Sequence, residues 1–322
     1  MKKNASYIIV GLTLVATLWA SCSDKKSKSG RTDTYSSGVI SFASDESFSP
    51  IVEEERQVFE HTYKKAKVNP IYTNESDGME MLLNKKTCLL ITARDFKPEE
   101  RQSLIDLGNN PRTLRLAYDG LALIVHRSNT DSCITVKDIA RILNGEATKW
   151  SDIYPGSKRG EITLVFDNKK SSAVHYAEDS ILGGKPITSP NVTAAQTSAE
   201  VVNYVAKTPN AIGIIGSNWL NDKRDTTNAT FKKEITVMKV SKSDPATPRN
   251  SYRPYQYHIA YANYPLIRTI YALVNDPRPR GVPRSFASFC WHPDGQLIFY
   301  HAGMLPAHSD FTVREVNVRK ER

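Results

Sequence analysis

Hydrophobic and polar positions along the body of this chain switch repeatedly between two periods. Gly38-Val-Ile-Ser-Phe-Ala43 is a short apolar run closed by the polar turn Ser44-Asp-Glu-Ser47, which predicts a buried strand. Pro50 then opens a helical pattern to about Lys67, with Ser49 as its expected cap. Val68–Tyr72 reads as extended, Asp77–Asn84 as a helix with Met79, Leu82 and Leu83 on one face, and Cys88–Thr92 as a second buried strand. Lys97-Pro-Glu-Glu-Arg101 starts another helix, with proline and acids in its first turn. Arg115–Tyr118 and Leu121–His126 form a nearly continuous strand broken at Asp119-Gly120. Helices are then predicted at Val136–Leu143, Ser171–Leu182 and Ser198–Lys207, with strands at Ile162–Phe166, Ala211–Ile215 and Ile235–Val240. Asn221–Phe231 is polar and loop-like, and Tyr264–Asn275 and Pro283–His301 read as helical. Strands that alternate with helices in this way predict an α/β architecture.

The N-terminus follows a different rule. Lys2 and Lys3 precede an apolar run from Tyr7 to Trp19, which ends in Ala20-Ser21-Cys22. A charged start, a short apolar core and a small-residue exit describe a secretory signal peptide. The run is shorter than the roughly 20 apolar residues that a membrane-spanning helix needs. A cysteine directly after Ala-Ser resembles the lipobox of bacterial lipoproteins, although Trp19 stands where leucine or valine is usual. The resemblance implies that residues 1–22 are the signal, that Cys22 is lipidated, and that the protein is a membrane-anchored lipoprotein facing the periplasm or the cell exterior. Residues 23–36 are polar and have nothing to bury, so they are expected to act as a tether.

Charge narrows the partners. Of 43 basic and 34 acidic residues, six and two fall in residues 1–36, which leaves 37 against 32 in the body, a net of +5. That excess is mild and spread out, and its short lysine clusters are not interleaved with aromatics, so nucleic acid is not an expected partner. A small anion is compatible with it. Cys88, Cys133 and Cys290 are an odd set with no Cys-x-x-Cys pair, so at most one disulfide can form among them within a chain.

Four stretches, taken in order, carry a family resemblance. They are Tyr118-Asp-Gly-Leu-Ala-Leu-Ile-Val125 with Asp138-Ile-Ala-Arg-Ile-Leu-Asn-Gly145, then Thr148-Lys-Trp-Ser-Asp152, then Pro209–Gly216, and finally Tyr264-Pro-Leu with Phe286–Phe289, His292–Gln296 and Gly303–Pro306. Together with Ile91–Asp95 they resemble the phosphate-type periplasmic solute-binding proteins of ABC transporters over most of residues 38–306. The resemblance implies a two-lobed, type II clamshell with a ligand cleft between lobes. The first lobe would comprise 37–118 and 241–322, and the second 119–240. Family binding positions map to Ser47 and Phe48, to Ser76, to Arg94, and to Ser171 and Ser172. The family's Arg-x-x-x-Ser-Gly-Thr loop is altered here: Asp167 stands at its arginine, Ser172 at its glycine and Ala173 at its threonine. Arg94 is then the expected guanidinium for an oxyanion.

No catalytic spacing competes with this reading. The seven histidines are scattered without a metal-ligand pattern, and no nucleophile elbow or phosphate-binding glycine loop is present. Asp45 and Glu46 lie beside the expected cleft, where acids before a helix cap or solvate more often than they catalyse. The reading is therefore a binding protein, not an enzyme, with no metal and no cofactor. Its expected partners are phosphate or another small anion, and an ABC permease or another envelope protein. A sensor or accessory lipoprotein that has lost phosphate binding, and a scaffold with a dead cleft, remain as alternatives. Cys22→Ala is expected to release the protein from the membrane fraction, and retention through a high-salt wash would overturn the anchor.

Overall fold

Nine residues of the first apolar run form strand β1 (Ser37–Asp45), which carries the chain into a short turn (Glu46–Phe48) and then helix α1 (Ser49–Thr62). The computed structural model describes residues 31–220 and 231–308. The signal run, Cys22, most of the expected tether and all but the last residue of the polar stretch 221–231 lie outside the described residues. The described residues from Asp33 onward form one unit.

Helix α1 ends earlier than its periodicity suggests, because Lys65 already begins β2 (Lys65–Thr73). Ser49 is not its cap: the cap position is Phe48, while the Asp45 carboxylate caps the preceding turn. The chain continues through α2 (Glu75–Leu83), β3 (Leu89–Thr92), α3 (Pro98–Asp106) and the 15-residue β4 (Arg112–His126). Then follow β5 (Cys133–Thr135), α4 (Val136–Leu143), the single turn α5 (Trp150–Ile153), β6 (Thr163–Phe166) and α6 (Ser172–Tyr176). Next come β7 (Val192–Ala194), α7 (Ser198–Lys207), β8 (Ala211–Gly216), β9 (Ile235–Val237) and β10 (Lys239–Ser241). The described chain closes with β11 (Ser251–Tyr252), α8 (Gln256–Ala260), β12 (Ile267–Val274), α9 (Val282–Trp291), α10 (Pro293–His301) and β13 (Leu305–Pro306).

One long sheet runs in the order β2-β1-β3-β12-β4-β8-β6-β7. Strand β4 is common to both of its halves. Residues 112–120 pair antiparallel with β12, and residues 121–126 pair antiparallel with β8 and β9. The Asp119-Gly120 break is therefore not an end of pairing but the point where β4 changes neighbours. Two main hydrophobic cores lie to either side. One gathers Phe42, Phe48, Phe59, Phe286 and Phe289, and the other Leu123, Trp150, Phe166 and Leu164.

One expectation is corrected here. The predicted helix at 264–275 is strand β12, with Arg268, Ile270 and Ala272 buried and Thr269 and Tyr271 less so. Ile-Arg-Thr-Ile-Tyr is a β-branched and aromatic run that suits a strand packed between β3 and β4, and period 2 was the correct period. Strand β11 pairs with β10, and Tyr264 and Leu266 pack into the second core. The Leu121 amide donates to the Leu266 carbonyl at 2.8 Å, so the outgoing and returning segments cross side by side.

Gly120 is required at that crossing. A β-carbon there would lie 2.6 Å from Cβ of Pro254 and 3.4 Å from Ile259 and Tyr264. Gly120→Ala should lower stability by about 1–3 kcal/mol, the usual cost of overpacking. Denaturant unfolding measures this, and a midpoint equal to that of the wild type would refute the close approach.

Candidate functional site

The site is built where β1, β4, β8, β12 and the start of α6 meet. Arg268 of β12 lies opposite Asp119 of β4 in register. Its Nε donates to Asp119 Oδ2 at 2.9 Å, and a second guanidinium nitrogen lies 2.8 Å from the same oxygen. Both side chains are buried. The other Asp119 oxygen accepts from the Ser217 amide at 3.0 Å and from its hydroxyl at 2.6 Å. Gly216 precedes that serine because a β-carbon there would come within 2.9 Å of Asn218, Arg268 and Asp119.

The guanidinium also reaches outward from the pair. One terminal nitrogen donates to Ser172 Oγ at 2.7 Å, the other to Ser47 Oγ at 3.4 Å, and its carbon sits 4.6 Å over the Phe48 ring. The two hydroxyls are 3.4 Å apart, although 125 residues separate them in sequence. Asp45 closes the ring. Its Oδ1 accepts from the Ser47 amide at 2.9 Å and its Oδ2 from the Ser172 amide at 3.4 Å. Further bonds tie the same loops together: Glu46 Oε2 accepts from the amide and hydroxyl of Ser198, and the Ser47 carbonyl accepts from Asn218 and Trp219.

Ser47, Phe48 and Ser172, all expected from the sequence, are thus brought together. Ser171 is buried beside them, but its hydroxyl caps α6 by accepting from the Val174 amide at 3.4 Å. Ser76 faces His175, 3.3 Å from Nε2. Arg94 does not point a free guanidinium at the ring, because Glu100 holds it bidentately with two bonds of 2.8 Å. A carboxylate six residues away on α3 outcompetes a distant ligand position for a flexible side chain. Arg268 supplies the central charge instead. The sequence reading passed over it, yet there was a signal: it is the one charge inside the run Ile267–Val274, and a charge in a buried strand must be paired.

Residues 28–292 match the family model described as the PBP superfamily domain. The chain belongs to the PBP superfamily. Phosphate-binding protein PstS of Borreliella burgdorferi is 23% identical over 273 residues, covering 83% of this chain and 89% of that protein. PstS of Staphylococcus epidermidis is 24% identical over 177 residues, 55% of this chain, and is matched over only 54% of its own length. A Clostridium perfringens structure, described as a phosphate ABC transporter substrate-binding protein with bound phosphate, superposes with a TM-score of 0.70 at 20% identity. It covers 84% of this chain and 100% of that one. This PBP superfamily member therefore has the α/β, two-lobed clamshell fold that its sequence resembles.

The electrostatics of the PBP cleft are dominated by acids. Burial raises the Asp45 carboxyl, nearby Glu75 raises it further, and Arg268 opposes both. Burial and the Asp45 charge push Asp167 up to about 7. Glu46 is raised, chiefly by burial. Beside the ring, His175 Nδ1 lies 2.7 Å from Glu75 Oε1, and this bond raises the histidine. Burial works to raise Glu75, but the histidine bond and charge outweigh it and lower the group overall. Among the described residues no three acidic, histidine or cysteine side chains form a metal-binding group. What the arrangement can do is hold a small polar group with hydroxyl, amide and guanidinium donors, while buried acids titrate alongside.

Asp167 ties this electrostatics to stability. It titrates near 3.8 ordinarily and at about 7 in the fold, with Asp45, Glu46 and Arg268 acting on it. The folded chain thus keeps a proton that the unfolded chain releases. The stability this contributes is full below the ordinary carboxylate range and is lost as pH rises through about 7. Asp167→Asn should therefore be more stable than the wild type at about pH 8 and less favoured, or no longer favoured, at about pH 5. Denaturant midpoints across that range test it, and parallel profiles for the two proteins would refute it.

Proposed function

We propose that this protein is an extracytoplasmic solute-binding lipoprotein, anchored through Cys22, that binds phosphate or a related oxyanion in the cleft and delivers it to an ABC permease without chemistry. The observation that carries the reading is the convergence of Ser47 Oγ, Ser172 Oγ, the Ser172 amide and the Arg268 guanidinium on one buried point where the two halves of the sheet meet. Oxyanions are bound by hydroxyl, amide and guanidinium donors of this kind, because a desolvated anion needs a partner for each oxygen. The names of the relatives support it: each is described as a phosphate-binding or phosphate-transport protein. Among the described residues the lobes of the proposal are 33–120 with 267–308, and 121–220 with 231–266, with the hinge where β4 and β12 cross. No helix among the described residues is long and apolar enough to cross a membrane.

A second reading rests on Asp45, Asp119 and Asp167. Three buried carboxylates around one guanidinium make the cleft poorer in positive charge than the family loop implies. A sensor or accessory envelope protein that keeps the clamshell without taking phosphate fits that balance.

Thermal unfolding with added anions decides between the two. Millimolar phosphate should raise Tm by mass action, and the double variant Ser47→Ala, Ser172→Ala should abolish the rise. Arg94→Ala should leave it in place, because Glu100 already holds that side chain. If phosphate, sulfate and small organic anions all leave Tm unmoved, the transport reading fails and the accessory reading takes its place.

A further inference from the structure

We infer that Asp45 is a built-in competitor for the oxyanion, its carboxylate occupying the amide donors of the cleft and lowering affinity for external anions. This rests on the oxyanion reading of the same site and adds what limits it. An aspartate ahead of a helical turn ordinarily caps that turn, and the 2.9 Å bond from the Ser47 amide, two residues on, is such a cap. The second bond has no local explanation. It reaches the Ser172 amide, 127 residues away at the start of α6. That amide is in the first turn of its helix, has no intrahelical acceptor, and is free to take an outside one.

The competitor and the ligand would need the same place. Ser172 offers its amide to Asp45 and its hydroxyl to Arg268, and the Ser47 hydroxyl lies 3.4 Å from that of Ser172. A tetrahedral anion gripped by these four groups puts an oxygen where an Asp45 oxygen now sits. Two negative groups cannot share those donors at contact distance without one being displaced or protonated. Asp45 is 1% exposed, so water does not relieve the conflict. Asp45 also bridges the two halves, since β1 lies in the first and Ser172 in the second. In a clamshell a ligand ordinarily supplies that bridge when it closes the lobes. Here the carboxylate supplies it, together with the Glu46 bonds to Ser198 and those of Asn218 and Trp219 to the Ser47 carbonyl.

Isothermal titration of inorganic phosphate into the full chain in detergent, comparing wild type, Asp45→Ala and Asp45→Asn, tests the assignment. Asp45→Ala is expected to bind at least tenfold tighter than wild type, with Asp45→Asn between them. If Asp45→Ala does not fold, Asp45→Asn carries the comparison, because its side-chain carbonyl still accepts from the Ser47 amide. A wild type that binds as tightly as the folded variants would overturn the competitor role and leave the oxyanion reading standing. If wild type and variants are folded and none binds, both fall. Solution X-ray scattering without phosphate gives a second readout. Asp45→Ala should have a larger radius of gyration than wild type, and phosphate should reverse the difference. Equal radii would overturn the bridge.

Discussion

The fold depends on one buried ion pair, Arg268 with Asp119, at the place where β4 and β12 cross from one half of the sheet to the other. Taking two charges out of water is expensive, and the attraction between them offsets that cost only when the remaining donors and acceptors are also satisfied. Here they are: Ser217 fills the second oxygen of Asp119, and Ser172 and Ser47 take the outer nitrogens of Arg268. Losing either partner would strand a charge in the interior, at a cost of about 3–5 kcal/mol. The pair therefore fixes the register of the two central strands and places a cation at the floor of the cleft in the same act. Stability and the proposed binding draw on the same guanidinium.

That constraint explains how the altered family loop is tolerated. With Asp167 in place of the arginine, α6 brings no cation of its own to the buried ring. Lys170 instead reaches out to Asp77 at 3.2 Å, at a largely exposed position. The charge comes from β12, on a different strand and from a different direction. Its position forces the neighbouring carboxylates to share a single cation: burial pushes Asp45 and Asp167 upward, with the Glu75 charge adding to the first and the Asp45 charge to the second. The same crowding makes the ring self-sufficient. Each donor has an internal acceptor, so any ligand must compete with the protein for its own groups.

Polar contacts from loop and helix ends link the halves: Ser198 to Glu46, Trp219 and Asn218 to Ser47, and His175 to Glu75. The aromatic and aliphatic cores lie to either side and do not depend on them. Hydrogen bonds of this kind contribute roughly 0.5–1.5 kcal/mol each, far less than a core. A clamshell built this way can exchange its closing contacts without repacking its interior.

Much of this was legible in the sequence. Helix α4 and α7 begin and end where their periodicity and capping threonines put them, and the proximity of Ser47, Phe48 and Ser172 followed from the family resemblance alone. Local rules sufficed there because the determining interactions lie within a few residues. Tyr264–Asn275 was misread, since a run of alternating Ile, Thr and Tyr between two strands owes its form to neighbours more than 140 residues away. Arg94 was the candidate of the family mapping, and Arg268 was marked in one dimension only by its place as the single charge in an apolar run. Only the fold decided between them, by placing Glu100 against the first and Asp119, Ser172 and Ser47 around the second. The residue types and most of the strand–helix order were set by the sequence. Which cation and which carboxylates share the cleft was decided by the tertiary structure, because electrostatics in a dry interior depends on distances that no spacing along the chain contains.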